Sequence, residues 1–148
     1  LLNEMYESPS RKDIDQIINI IKPWGEKGIL IDRINKDIDK DIDSFFVVEY
    51  DHNIIGTVAL YPYTDMLEVA CFVINDKYQN LGYGKKLLKF CEQAAMKRNI
   101  NNLFILTTQS EHWFIENNFV LGDKENMPEE RKKTYTSERN SKYFTKRL

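Results

Sequence analysis

Apolar residues recur along this chain with two different periods, and each change of period marks a new element. Ile14, Ile17, Ile18 and Ile21 share one helical face behind Ser10, with Asp13 three residues on, so a helix is predicted over residues 11–22, ended by Pro23. Gly25 and Gly28 then bracket a loop, and a short second helix is predicted over residues 35–42 with Ile34, Ile38 and Ile42 inward. Residues 45–50 and 54–61 are rich in β-formers and separated by Asp51-His52-Asn53, which reads as a hairpin. Pro62 and Asp65 turn the chain into a third run over residues 67–74, completing an antiparallel meander.

Helical periodicity then returns. Leu87, Leu88, Cys91, Ala94 and Ala95 fall together on a buried face, leaving Lys85, Lys86, Lys89 and Glu92 largely on the others. The continuous apolar run over residues 103–107 predicts a strand buried on both faces and parallel to the 67–74 strand. Ser110 caps a predicted helix through Asn117 with Trp113 and Phe114 facing in, and Phe119-Val120 begins another strand. Pro128 opens a helix over residues 129–135, and residues 141–145 close the order as an edge strand. The sum is a mixed α/β sheet in the order ααβββαβαβαβ.

Composition narrows the class. A chain of 148 residues, 42% hydrophobic and 12% aromatic, suits one domain with a real core, residues 1–148 forming a single unit. No run approaches the ~18 apolar residues of a membrane span. A formal charge of −2 and a pI near 5.8 offer no global attraction to nucleic acid or an anionic membrane. Residues 31–42 alternate Asp, Lys and Ile as a solvated helix does. Two cysteines, Cys71 and Cys91, are the usage of a reduced compartment, and a cytoplasmic location is expected. The chain opens Leu1-Leu2-Asn3-Glu4, without Met and without a leader's basic and apolar regions, and is read as the C-terminal part of a longer polypeptide.

The chemistry concentrates where the 67–74 strand meets Gln79-Asn80-Leu81-Gly82-Tyr83-Gly84 and the helix after it. Gly82 and Gly84 allow a tight turn, so successive N–H groups can converge on an anion where the helix carries its partial positive charge. Two glycines before a helix are also an ordinary turn. A dinucleotide site is disfavoured, because the next strand carries no acidic residue at its end. Strand, Gln79-x-x-Gly82-x-Gly84 and helix together resemble the acetyl-CoA signature of the GNAT superfamily. That resemblance implies a mostly antiparallel central sheet with splayed middle strands, flanked by helices. Gln79, Asn80, Leu81, Gly82, Tyr83 and Gly84 would hold the pyrophosphate of acetyl-CoA, and Phe72 and Val73 would offer strand edge to its pantetheine arm.

A second stretch, Leu103-Phe104-Ile105-Leu106-Thr107-Thr108-Gln109-Ser110-Glu111-His112-Trp113-Phe114, is more specific. Together with Glu68-Val69-Ala70-Cys71, Leu30-Ile31-Asp32-Arg33, Ala59-Leu60-Tyr61-Pro62-Tyr63 and a tail holding Arg131, Tyr135, Arg139 and Ser141, it resembles the acetyltransferase domain of the bacterial N-acetylglutamate synthases. The resemblance implies transfer of an acetyl group from acetyl-CoA to the amine of L-glutamate for arginine biosynthesis, by direct attack in a ternary complex and without a metal. Glu68 would be the general base and Thr107 would assist the departing thiolate. Cys71 would offer its backbone N–H and C=O, while Arg33, Arg131 and Arg139 would hold substrate carboxylates with Ser141 nearby. A homo-oligomer is compatible with this reading, and neither nucleic acid nor membrane is expected as a partner.

Bland readings stand beside these. Glu68 could be a solvated strand-end carboxylate, Thr107 a structural cap and each arginine a surface charge. His112 reads as a packed or exposed helix residue, and His52 as a turn residue without a role. Rival functions are acetyl transfer to another amine, a non-catalytic acetyl-CoA-binding domain and a nucleic-acid module built on the basic tail.

Overall fold

Asp51 and His52 both adopt left-handed backbone, φ 51° and 65°, the pairing that matches a two-residue hairpin turn to strand twist. They join β2 (Phe45–Tyr50) to β3 (Asn53–Pro62). β4 (Leu67–Ile74) pairs antiparallel with β3, so the predicted meander forms. The computed structural model describes residues 4–7, 9, 13–26, 41–108, 110–135 and 140–148. Within them one seven-stranded sheet runs in the order β1-β2-β3-β4-β5-β7-β6. β1 is Glu4–Glu7, β5 Asn102–Thr107, β6 Val120–Leu121 and β7 Lys142–Arg147.

Two helices cover opposite faces of that sheet. α1 (Ile14–Glu26) buries Ile17, Ile20 and Ile21 against Phe45, Val47, Ile54 and Ala59. It does not stop at Pro23 as predicted: proline forfeits one backbone bond but its fixed φ is helical, and the helix runs one more short stretch to Glu26. α2 (Tyr83–Lys97) packs Leu87, Leu88, Cys91, Ala94 and Ala95 on the other face, the five residues its periodicity selected. α3 (Glu111–Glu116) adds Phe114 to that core. The helix predicted over residues 35–42 lies outside the described residues except at its end, where Ile42 is buried in a 3-10 turn, Ile42–Ser44.

One strand went unpredicted and two further predictions are corrected. β1 was not legible as a strand, since Glu-Met-Tyr-Glu has no apolar run; its pairing with β2 supplies what its own pattern lacks. β7 is not an edge strand, because the two-residue β6 pairs along its outer side. α4 (Glu129–Lys132) ends short of residue 135, where the Thr134 hydroxyl donates back to the Arg131 carbonyl (3.1 Å) and competes with further helix.

Candidate active site

The middle of the sheet comes apart for a local reason. β4 and β5 run parallel but pair only at Leu67 with Leu103 and Glu68 with Phe104. Between Ala59↔Ala70 and Thr57↔Val73, β3 advances two residues while β4 advances three, so β4 carries a bulge. Cys71 sits in it with φ 50°, a left-handed conformation that costs a non-glycine residue roughly 1–2 kcal/mol. The bulge also reverses the alternation of side chains. Leu67 and Val69 face the α2 core before it, and Phe72 and Ile74 face that core after it.

Beyond Glu68 the two strands diverge into a cleft of about 530 Å³, a size suited to a small-molecule ligand. One wall is Glu68 to Ile74 of β4, the other Ile105, Leu106 and Thr107 of β5. Tyr78, Gln79, Asn80, Gly82, Gly84 and Lys85 line one end, and Trp113, Phe114 and Arg131 also border the space. Of the predicted cofactor loop, Leu81 is largely exposed and Tyr83 packs edge-on against Tyr50 and Tyr78 rather than lining the cleft.

The loop is held rigidly. Gln79 donates its side-chain amide to the Ile74 carbonyl (3.0 Å) and to Asp76 Oδ1 (3.3 Å). Asn80 and Gly82 take left-handed backbone, φ 62° and 88°, aiming the chain into α2. Lys86 N–H donates to the Gly82 carbonyl, so the amides of Gly82 to Lys85 precede the first intrahelical bond. No acidic residue occupies that first turn, which suits an anion. Gly84 has a different reason to be glycine: a Cβ there would lie 3.0 Å from Trp113 Cζ2.

Glu68 is not the solvated strand-end carboxylate of the bland reading, being only 3% exposed. Its Oε1 accepts a hydrogen bond from Arg131 Nε at 2.8 Å, and both side chains are 4% exposed. Arg131 Nη1 donates in turn to Thr134 Oγ1 at 2.9 Å. The structure thus brings two predicted site residues together, but to each other. Sequence reasoning missed Thr134, whose only signal was its place three residues after Arg131, one helical turn on.

Thr107 is buried and its Oγ1 accepts the Ser110 N–H (3.1 Å), so a capping contact exists. That bond uses a lone pair and leaves the hydroxyl proton for another partner. Ser141 is fully buried, its hydroxyl donating to Tyr135 Oη (3.3 Å). Against the upward push of burial, hydrogen bonds involving Lys124 and Ser141 hold the Tyr135 phenol below its ordinary value. Burial pushes the Cys91 thiol far up, which fits a core residue. His112 and His52 are exposed and outside the cleft. Arg33 and Arg139 lie outside the described residues. Among the described residues no cluster of His, Cys, Asp and Glu is placed to hold a metal ion, and no helix is long and apolar enough to cross a membrane.

A parted parallel strand pair, a bulged β4 and a glycine loop opening α2 are the fold of the GNAT acetyltransferases. The chain belongs to the Acetyltransferase (GNAT) family, whose pattern matches residues 4–115. It is 37% identical over 147 residues to an amino-acid acetyltransferase of Pseudomonas putida, covering 98% of this chain and 34% of that protein. An amino-acid acetyltransferase of Buchnera aphidicola is 38% identical over 141 residues, 94% of this chain and 32% of that protein. The chain therefore spans about a third of the length of these curated relatives. N-acetylglutamate synthase from Neisseria gonorrhoeae, solved with coenzyme A and N-acetyl-glutamate, superposes with a TM-score of 0.92 at 33% identity, over 98% of this chain and 35% of that one.

Proposed function

We propose that this chain transfers the acetyl group of acetyl-CoA to the α-amine of L-glutamate, giving N-acetylglutamate for arginine biosynthesis in the cytoplasm. The observation that carries this reading is the cleft beyond the last β4–β5 pair, with Glu68 and Thr107 on its facing walls. The likeness to amino-acid acetyltransferases and to N-acetylglutamate synthase supports the choice of acceptor.

In this reading the pyrophosphate of acetyl-CoA lies on the amides of Gly82 to Lys85, and its pantetheine arm lies along the unpaired edge of β4 at Phe72 and Val73. The amine attacks the thioester carbonyl, forming an N–C bond as the C–S bond breaks. Glu68 takes a proton from the amine, whose ordinary pKa lies above 7. A backbone N–H of the Cys71 strand stabilises the oxyanion, a contribution of about 2.7–4 kcal/mol for one donor, and Cys71 offers its own N–H and C=O to the acceptor. Thr107 gives its hydroxyl proton or hydrogen bond to the departing thiolate. Arg33 and Arg139 hold the acceptor carboxylates, since a guanidinium fork stays charged at any working pH.

An amino-acid panel with acetyl-CoA, read by free thiol, tests the acceptor. Glutamate should turn over well above glutamine, and equal rates would remove the carboxylate contacts from the proposal. The cofactor loop makes a separate prediction. Gly82→Ala, strained at φ 88°, should raise the acetyl-CoA KM about tenfold, the equivalent of ~1.4 kcal/mol. Gly82→Asn should cost less, because Asn tolerates that conformation. Equal KM values for both variants would break the link between backbone conformation and cofactor binding.

A further inference from the structure

We infer that Arg131 is a positioning residue for Glu68, fixing Oε1 so that proton transfer falls to Oε2, and is not itself a clamp on the substrate. The inference rests on the acetyl-transfer reading above and assigns Arg131 a different part in it from the one its resemblance implied. The geometry is a three-member chain: the Thr134 hydroxyl accepts from Arg131 Nη1 at 2.9 Å, and Arg131 Nε donates to Glu68 Oε1 at 2.8 Å. Thr134 is itself tied to the Arg131 carbonyl at 3.1 Å. A guanidinium grips a carboxylate bidentately through Nε with Nη2 or through Nη1 with Nη2. The bond to Glu68 takes the one Nε–H and with it the first of those forks, and the side chain, 4% exposed, is turned to Glu68 and Thr134.

A carboxylate that collects a proton from a bound amine must keep one orientation through the step, because misplacement by a small distance costs rate steeply. Glu68 is itself the last residue of β4 paired with β5, so the sheet fixes its backbone but not the carboxylate head at the end of a flexible side chain. The single bond from Nε does. It occupies one oxygen and leaves the other to the cleft that Glu68 lines. The proton passes from the amine nitrogen to Oε2, the nitrogen lone pair forms the new bond to the acetyl carbon, and the C–S bond breaks to release the coenzyme A thiolate, so no further reactant is required.

A double-mutant cycle tests this with glutamate and acetyl-CoA. Arg131→Gln should lower kcat at least tenfold while the glutamate KM and the glutamate-to-glutamine preference stay within about twofold. In a Glu68→Gln background the same change should cost less than twofold further, since Arg131 then has no base to position. Arg131→Lys should restore only part of kcat, because an ammonium lacks the Nε and Nη1 geometry. Thr134→Val, a milder change, should lower kcat a few-fold with KM unchanged and carries the same cycle if Arg131→Gln does not fold. Multiplicative losses in the double variant, or a loss confined to KM with a collapsed glutamate preference, would overturn the inference and return Arg131 to the clamp. A wild type that releases no thiol with any amino acid overturns the functional reading, and the inference with it.

Discussion

Glu68→Gln is expected to lower kcat by roughly 10²- to 10⁴-fold at neutral pH, the range supplied by a positioned general base. The variant keeps an oxygen that can accept from Arg131 Nε but cannot take a proton. The loss should shrink as pH rises, because the attacking amine then arrives already deprotonated. Steady-state rates at constant saturating substrate from neutral to alkaline pH provide the measurement. A melting curve run alongside registers the cost of leaving Arg131 without a counter-charge, so that a fall in rate is not mistaken for a fall in folded protein. Equal activity of the variant and the wild type at every pH would assign the base elsewhere.

The second large effect is on stability. Arg131→Met, similar in length and uncharged, leaves the Glu68 carboxylate buried at 3% exposure with its ion-pair partner gone. Breaking a buried pair from one side costs about 3–5 kcal/mol, against a total stability on the order of 5–15 kcal/mol. At ~2–4 °C per kcal/mol for a domain of this size, the melting midpoint should fall by about 10 °C. Adding Glu68→Gln to that variant removes the stranded charge and should recover a large part of the loss. A single variant that melts within about 2 °C of the wild type would mean that water reaches the carboxylate and that the pair is not buried in solution.

The loop that opens α2 could be read directly from the chain, and the far wall of the cleft could not. Gly82 and Gly84 stand beside a helix whose five buried residues follow from their spacing alone, so both the loop and its direction into α2 were local properties. The β2–β3 turn was legible for the same reason, since Asp51 and His52 accept the backbone it needs. Arg131 was selected as a site residue by motif, but its partner is 63 residues away in sequence. No periodicity connects Glu68 to Arg131. β1 was unread and the interior place of β7 misread because a strand of two or four residues, whether β1 itself or the β6 that covers β7, has its pairing set by its neighbour and not by its own pattern.

By itself the amino-acid order determined the helix faces, the meander and the glycine loop that opens α2, because each depends on residues within one or two turns of one another. The tertiary structure alone decided where β4 leaves β5, through one surplus residue beside Cys71, and which carboxylate and guanidinium meet beside the resulting gap. Desolvation is the reason: a carboxylate and an arginine acquire their strong mutual preference only once packing has removed the water around both.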